Sequence, residues 1–81
     1  MFYTYIIYSP TIDQFYIGHC QDLQDMLVGH SNSRSLATNK ANDWVIVYSK
    51  QFDSRKEANH LEMILKRKKS RKYIEWLISQ P

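Results

Sequence analysis

The seven residues Phe2-Tyr3-Thr4-Tyr5-Ile6-Ile7-Tyr8 are all aromatic or β-branched, the side chains that fit a pleated, half-buried surface and crowd a helix. The segment is read as a strand, and everything after it has to pack around that strand. Alternation sends Phe2, Thr4, Ile6 and Tyr8 to one face and Tyr3, Tyr5 and Ile7 to the other. Ser9-Pro10-Thr11-Ile12-Asp13 then carries turn residues, and Phe15-Tyr16-Ile17 resumes strand character before Gly18. The two stretches read as a hairpin.

Helical spacing begins after the hairpin. Asp22 is placed to cap a helix in which Leu23, Met26, Leu27 and His30 fall at i, i+3, i+4 and i+7. Residues 31–43 are rich in Ser, Asn and Thr and read as a polar connector, long enough to serve as a substrate loop. Trp44-Val45-Ile46-Val47-Tyr48 is a short continuous apolar run, which predicts a third strand in the centre of the sheet. Ser54-Arg55-Lys56-Glu57 matches a capping box, followed by Ala58, Leu61 and Leu65 on one helical face. Ser70 offers another cap, before Tyr73, Ile74, Leu77 and Ile78. The expected class is α+β. Three antiparallel strands near residues 2–8, 15–18 and 44–49 form a small sheet, flanked by helices near 22–31, 55–68 and 71–79, in the order ββαβαα.

Eighty-one residues, 43% of them hydrophobic, suffice for one core, so one domain over residues 1–81 is expected. Cys20 is the single cysteine, which excludes an intrachain disulfide and fits a reducing compartment. The apolar run at residues 2–8 is far shorter than the roughly 20 residues that span a bilayer. These features predict a soluble cytoplasmic protein with no membrane partner. Positive charge is concentrated late in the chain: residues 1–65 hold five basic and seven acidic side chains, residues 66–81 six and one. The cluster Lys66, Arg67, Lys68, Lys69, Arg71 and Lys72 fits a phosphate-backbone partner or, equally, a solvated helix surface.

Tyr3-Thr4-Tyr5 and Tyr16-Ile17-Gly18, with ten residues between Tyr5 and Tyr16, resemble the signature of the GIY-YIG nucleases. The second half matches letter for letter; the first has Tyr3 and Thr4 in place of Gly and Ile. The Asp22-Leu23 opening of a helix that reaches His30, Asn42-Asp43-Trp44 before a strand, and the run from Lys56-Glu57-Ala58 to Lys66 also look like small stand-alone bacterial members. The resemblance extends over nearly the whole chain, and the order ββαβαα, read independently of it, agrees.

The resemblance implies a DNA endonuclease that hydrolyses phosphodiester bonds with one divalent ion, Mg²⁺ or Mn²⁺, on DNA recognised by structure more than by sequence. It assigns Tyr5 and Tyr16 to the scissile phosphate and the attacking water, one phenol acting as general base. A phenol with a pKa near 10 needs help from its site to do this at neutral pH. It assigns Glu62 to the metal; read from the residues alone, Glu62 is as readily the partner of Lys66 at i, i+4. His30 is implied as a group that approaches the phosphate or orients water, and could equally cap the core. Where the family places an arginine in the first helix, this chain has Met26, which supplies no donor. Arg34 and Lys40, in the polar connector, are candidates for a substitute cation on the DNA. Two further readings follow: a catalytically inactive nucleic-acid-binding module, and a module that docks a larger DNA-repair or mobile-element protein through exposed aromatics such as Trp76. His19 and His60 show no metal-ligand spacing with Cys20.

Overall fold

A computed structural model describes residues 1–31, 43–68 and 70–80, with the backbone alone at 28–31. Its elements are β1 (Phe2–Ser9), β2 (Gln14–Cys20), α1 (Leu23–Ser31), β3 (Val45–Phe52), α2 (Arg55–Lys68) and α3 (Arg71–Ser79). They keep the expected order ββαβαα, and both strand pairings are antiparallel. The three helix starts are capped as their sequences predict. Asp22 Oδ1 accepts from the Asp25 N–H at 2.9 Å, Ser54 Oγ from Glu57 N–H at 3.2 Å and Ser70 Oγ from Tyr73 N–H at 3.2 Å. Each bond satisfies a backbone donor that the first helical turn leaves without an intrahelical acceptor.

The strand order is β2-β1-β3, which corrects the expectation that the run Trp44 to Tyr48 lies in the centre. β1 is central and β3 is an edge. A continuous apolar run reports burial on both faces, and β3 does send side chains into both apolar layers, Ile46 into one and Val47 and Tyr48 into the other. Such a run says nothing about how many edges are paired. The residues that mark the centre are Ile6 and Ile7, both fully buried. β3 also carries an irregularity: Ile6 pairs with Tyr48 and Ile7 with Ile46, so Val47 is the extra residue of a β-bulge. The bulge turns Val47 and Tyr48 to the same side, and both pack against the cluster of Ile6, Ile17, Leu65 and Ile74.

The two layers lie one on each face of the sheet. Ile6 and Ile17 meet Leu65 of α2 and Ile74 of α3, with Leu61, Tyr73, Leu77 and Ile78 around them. Tyr5, Ile7 and Trp44 on the opposite face meet Leu23, Met26 and Leu27 of α1. Thr4 lies on the first face, where its hydroxyl donates to the Ala58 carbonyl at 2.6 Å. Because Ala58 is fully buried and has only a methyl group, α2 approaches β1 closely at that point.

Two carboxylates, Asp13 exposed and Asp43 half-buried, fasten the chain where β1 turns into β2. Asp13, at φ 52°, receives a hydrogen bond from the Tyr8 hydroxyl and another from Arg71 Nη2 at 2.6 Å. This ties the turn to α3, and the Arg71 guanidinium also covers the Phe15 ring at 5.2 Å. Asp43 receives the buried Ser9 hydroxyl, the Thr11 N–H at 3.0 Å and the Thr11 hydroxyl at 2.6 Å, joining the start of β3 to the end of β1. Both carboxyls are held below the usual range, Asp13 chiefly by Arg71 and then Tyr8, Asp43 chiefly by Ser9 and then Thr11. A depressed folded-state pKa adds stability that is complete above the unfolded pKa and is lost as pH falls through the folded value. Urea unfolding should therefore show stability declining below about pH 4. The double variant Asp13→Asn, Asp43→Asn should be less stable than the native chain at neutral pH and converge on it in strong acid. Parallel pH profiles for the two proteins would exclude these carboxylates as the source.

Candidate active site

The β1–β2 register pairs Tyr5 with Gly18 and Ile7 with Tyr16, so Tyr5 and Tyr16 are diagonal neighbours on the α1 face. Their ring centroids lie 6.5 Å apart with planes inclined by 30°. Gly18 makes this arrangement possible. A Cβ at position 18 would sit 2.5 Å from Tyr5 Oη and 2.7 Å from Cζ, so the Tyr5 ring lies directly over the glycine. A side chain rooted on the central strand thereby extends its hydroxyl across β2, an edge strand. Tyr5 is only 4% exposed. Burial, and after it the proximity of Tyr16, Cys20 and Glu62, pushes its phenol well above the ordinary tyrosine range. Burial thus favours the neutral hydroxyl of Tyr5 in the ligand-free protein.

His19 alternates with Gly18 and so points to the other side of β2, toward α2. There its Nδ1–H donates to Glu62 Oε1 at 2.8 Å. The second carboxylate oxygen, Oε2, takes the Lys66 ammonium at 3.2 Å. The Glu62 side chain is 14% exposed, and its charge is felt at Tyr5. Lys66 Nζ also lies 5.9 Å from the centroid of the Tyr16 ring. Tyr5 and Tyr16 from the sheet and Glu62 and Lys66 from α2 therefore converge at the β2 edge, with His19 bracing the carboxylate. Among the described residues no group of three or more His, Cys, Asp or Glu side chains gathers into a metal cage.

The model of the GIY-YIG catalytic domain matches residues 1–74 of the chain. The chain belongs to the GIY-YIG family. No curated protein and no solved structure gave a match. Membership implies nuclease-type hydrolysis of phosphodiester bonds on a nucleic-acid substrate. Among the described residues no helix is long and apolar enough to cross a membrane.

Of the residues expected in a GIY-YIG site, Tyr5, Tyr16 and Glu62 are brought together. Met26 packs half-buried against the cluster of Tyr5, Ile7 and Trp44. The side chain of His30, and residues Arg34, Lys40 and Lys69, lie outside the described residues. Lys66, Arg67 and Lys68 are exposed at the end of α2 and Lys72 is exposed at the start of α3. Lys68 Nζ sits 4.8 Å over the Tyr73 ring. Arg71, counted with this cluster in the sequence, is bound to Asp13 instead and reaches Glu75 at 3.6 Å. His60 lines a cavity of about 410 Å³ with Lys50, Phe52, Lys56, Leu61 and Ile64. Two residues before Glu62, it lies about 160° around α2, away from the tyrosines.

The role of His19 is what sequence reasoning missed, having weighed this residue only as a partner for Cys20. Strand alternation would have placed it opposite Gly18 and toward the helix layer, though not which helical residue it meets. The dependence of Tyr5 on Gly18 yields a direct expectation. Gly18→Ala should destabilise the protein by about 1–3 kcal/mol, the usual cost of overpacking a close contact. It should cost much less in a Tyr5→Leu background, where the overlapping ring is gone. Urea unfolding of the four proteins gives the coupling. Equal costs in both backgrounds would mean that the tyrosine does not lie on the glycine.

Proposed function

We propose that residues 1–81 are one metal-dependent DNA endonuclease domain, with Tyr5 and Tyr16 flanking the scissile phosphate and the attacking water and Glu62 holding a single Mg²⁺ or Mn²⁺. The observation that carries this reading is the convergence of Glu62 on the two tyrosines at the β2 edge, from a helix far along the chain. The donor set fits such an ion. A single carboxylate braced by His19 at Oε1, with the exposed Lys66 ammonium as a displaceable partner at Oε2, suits a hard cation that keeps several waters and takes only one or two protein oxygens. When bound, the ion would supply Lewis-acid stabilisation of charge on the phosphate.

The chain's own residues divide the remaining work. Tyr5, kept neutral by burial, donates a hydrogen bond to the phosphate or to the water. Tyr16 is then the tyrosine assigned to the attacking water, and only its phenolate form can take the water's proton. His19 fixes the orientation of Glu62 through Oε1. The basic surface at the α2–α3 junction binds phosphates of the DNA backbone, which makes affinity insensitive to base sequence and favours selection by DNA structure. Lys66, Arg67, Lys68, Lys69 and Lys72 carry that surface, and Arg71 contributes less because its guanidinium is committed to Asp13.

The alternative, a nucleic-acid-binding module without turnover, is favoured by Met26, whose side chain brings no charge to the site. Removing one charge-stabilising group from a hydrolytic site costs on the order of a hundred- to a thousandfold in rate. Incubation with branched and single-stranded DNA and Mn²⁺ separates the two readings. The nuclease reading expects cleavage that disappears with EDTA and with Glu62→Ala. Binding with no cleavage, or cleavage that persists in Glu62→Ala, defeats it.

Salt locates the binding surface. Replacing Lys68 and Lys72 by Gln should flatten the log-affinity against log-salt slope on duplex DNA by about two units, nearly one for each phosphate that the protein no longer neutralises. An unchanged slope would move the DNA to another face.

A further inference from the structure

The Glu62 carboxylate has its two oxygens on different partners, His19 at Oε1 and Lys66 at Oε2. An ordinary i, i+4 pair on a solvated helix face ends with its two members, but here the ammonium continues to the Tyr16 ring. Lys66 therefore touches both a candidate metal ligand and a candidate catalytic phenol, and at 51% exposure it remains open to a ligand arriving from solvent. Arg71 is held by Asp13, Lys68 lies over Tyr73, and Met26 has no charge to offer.

Resting on the nuclease reading, we propose that Lys66 is the phosphate-binding cation of this site: it neutralises Glu62 in the ligand-free protein and contacts a non-bridging oxygen of the scissile phosphate in the DNA complex. The reason is charge balance. An ammonium on Oε2 and a divalent ion on the same carboxylate repel each other at such short range, and an anionic phosphate placed between them relieves both. The four-carbon stem of lysine allows the short displacement, and the Tyr16 ring confines it. Lys66 thereby supplies from α2 the charge that α1, with Met26, does not.

Two consequences separate this role from simple backbone binding. Lys66 competes for Oε2, so Lys66→Gln should bind Mn²⁺ about two- to fivefold more tightly in the absence of DNA, the scale of a partly exposed ion pair. The same variant should cleave on the order of a hundredfold more slowly at saturating DNA, while its affinity for DNA falls by less than about tenfold. Lys66→Arg should keep most of the rate. Met26→Arg, adding a guanidinium from the opposite helix, should restore much of the rate to Lys66→Gln.

The experiment uses the full chain. Mn²⁺ binding to metal-free protein is followed by electron paramagnetic resonance, and single-turnover cleavage of a branched duplex is followed with Mn²⁺ in excess, for the native chain and the Lys66→Gln, Lys66→Arg and Lys66→Gln/Met26→Arg variants. Tighter Mn²⁺ binding together with a slower step in Lys66→Gln, and recovery in the two arginine variants, supports the proposal. Native cleavage with Lys66→Gln equally fast at saturating DNA overturns the role of Lys66 and leaves the nuclease reading intact. So does a change in DNA affinity alone, or unaltered or weaker Mn²⁺ binding in Lys66→Gln. A native chain that binds Mn²⁺ through Glu62 and cleaves nothing overturns the nuclease reading and this role with it.

Discussion

β1 is paired on both edges and covered on both faces, and each part of the candidate site takes its position from that double constraint. With β2 on one edge and β3 on the other, its backbone groups are engaged along almost its whole length. Alternation then divides its side chains between two helix layers: Thr4 and Ile6 to α2 and α3, Tyr5 and Ile7 to α1. A one-residue slip would exchange these sets, driving a tyrosine into the place where Thr4 meets Ala58 and removing Tyr5 from Gly18. The register that buries the core is thus the register that aims the tyrosine.

The same economy governs the approach of α2. Thr4 and Ala58 draw the first turn of the helix against β1, and Leu65 anchors its far end in the apolar cluster. Glu62 lies between these two anchors on the side that overlooks β2, an edge of the sheet. An edge strand with a glycine in it is ordinarily a weak point, exposing backbone to unwanted pairing. Here the gap over Gly18 is filled from one side by the Tyr5 ring, while His19, the next residue, supports the carboxylate from the other. At this edge groups from both layers meet, Tyr5 and Tyr16 from one and Glu62 and Lys66 from the other.

Charge on the surface is distributed by contact as much as by sequence position. Lys66 and Arg71 belong to one run of basic residues, yet their surroundings give them unlike tasks. Lys66 joins Glu62 and Tyr16, while Arg71 grips Asp13 and shields Phe15, fastening α3 to the β1–β2 turn. A guanidinium forked onto a carboxylate that also accepts from Tyr8 is ill-suited to release its partner for a phosphate. The basic cluster is therefore in part structural fastening, and only the rest of it is open to a ligand.

What the sequence determined by itself is what short-range physics decides: seven successive aromatic or β-branched residues made a strand, Asp22, Ser54 and Ser70 started helices by bonding to N–H groups three residues on, and alternation set Tyr5 and Tyr16 apart from Ile6 and Ile17. The Tyr16-Ile17-Gly18 motif with its spacing from Tyr5 pointed to the family, and the family in turn pointed to Glu62. The tertiary structure alone decided that β1 and not β3 is central, that His19 joins Lys66 on the Glu62 carboxylate, and that Arg71 answers to Asp13. Apolar content measures burial and is silent about which edges are paired, so strand order could not be read from the Trp44 run. The hydrogen bonds of His19 with Glu62 and of Asp13 with Arg71 span 43 and 58 residues, distances over which side-chain encounters are set by how whole elements pack and not by any local preference of the chain.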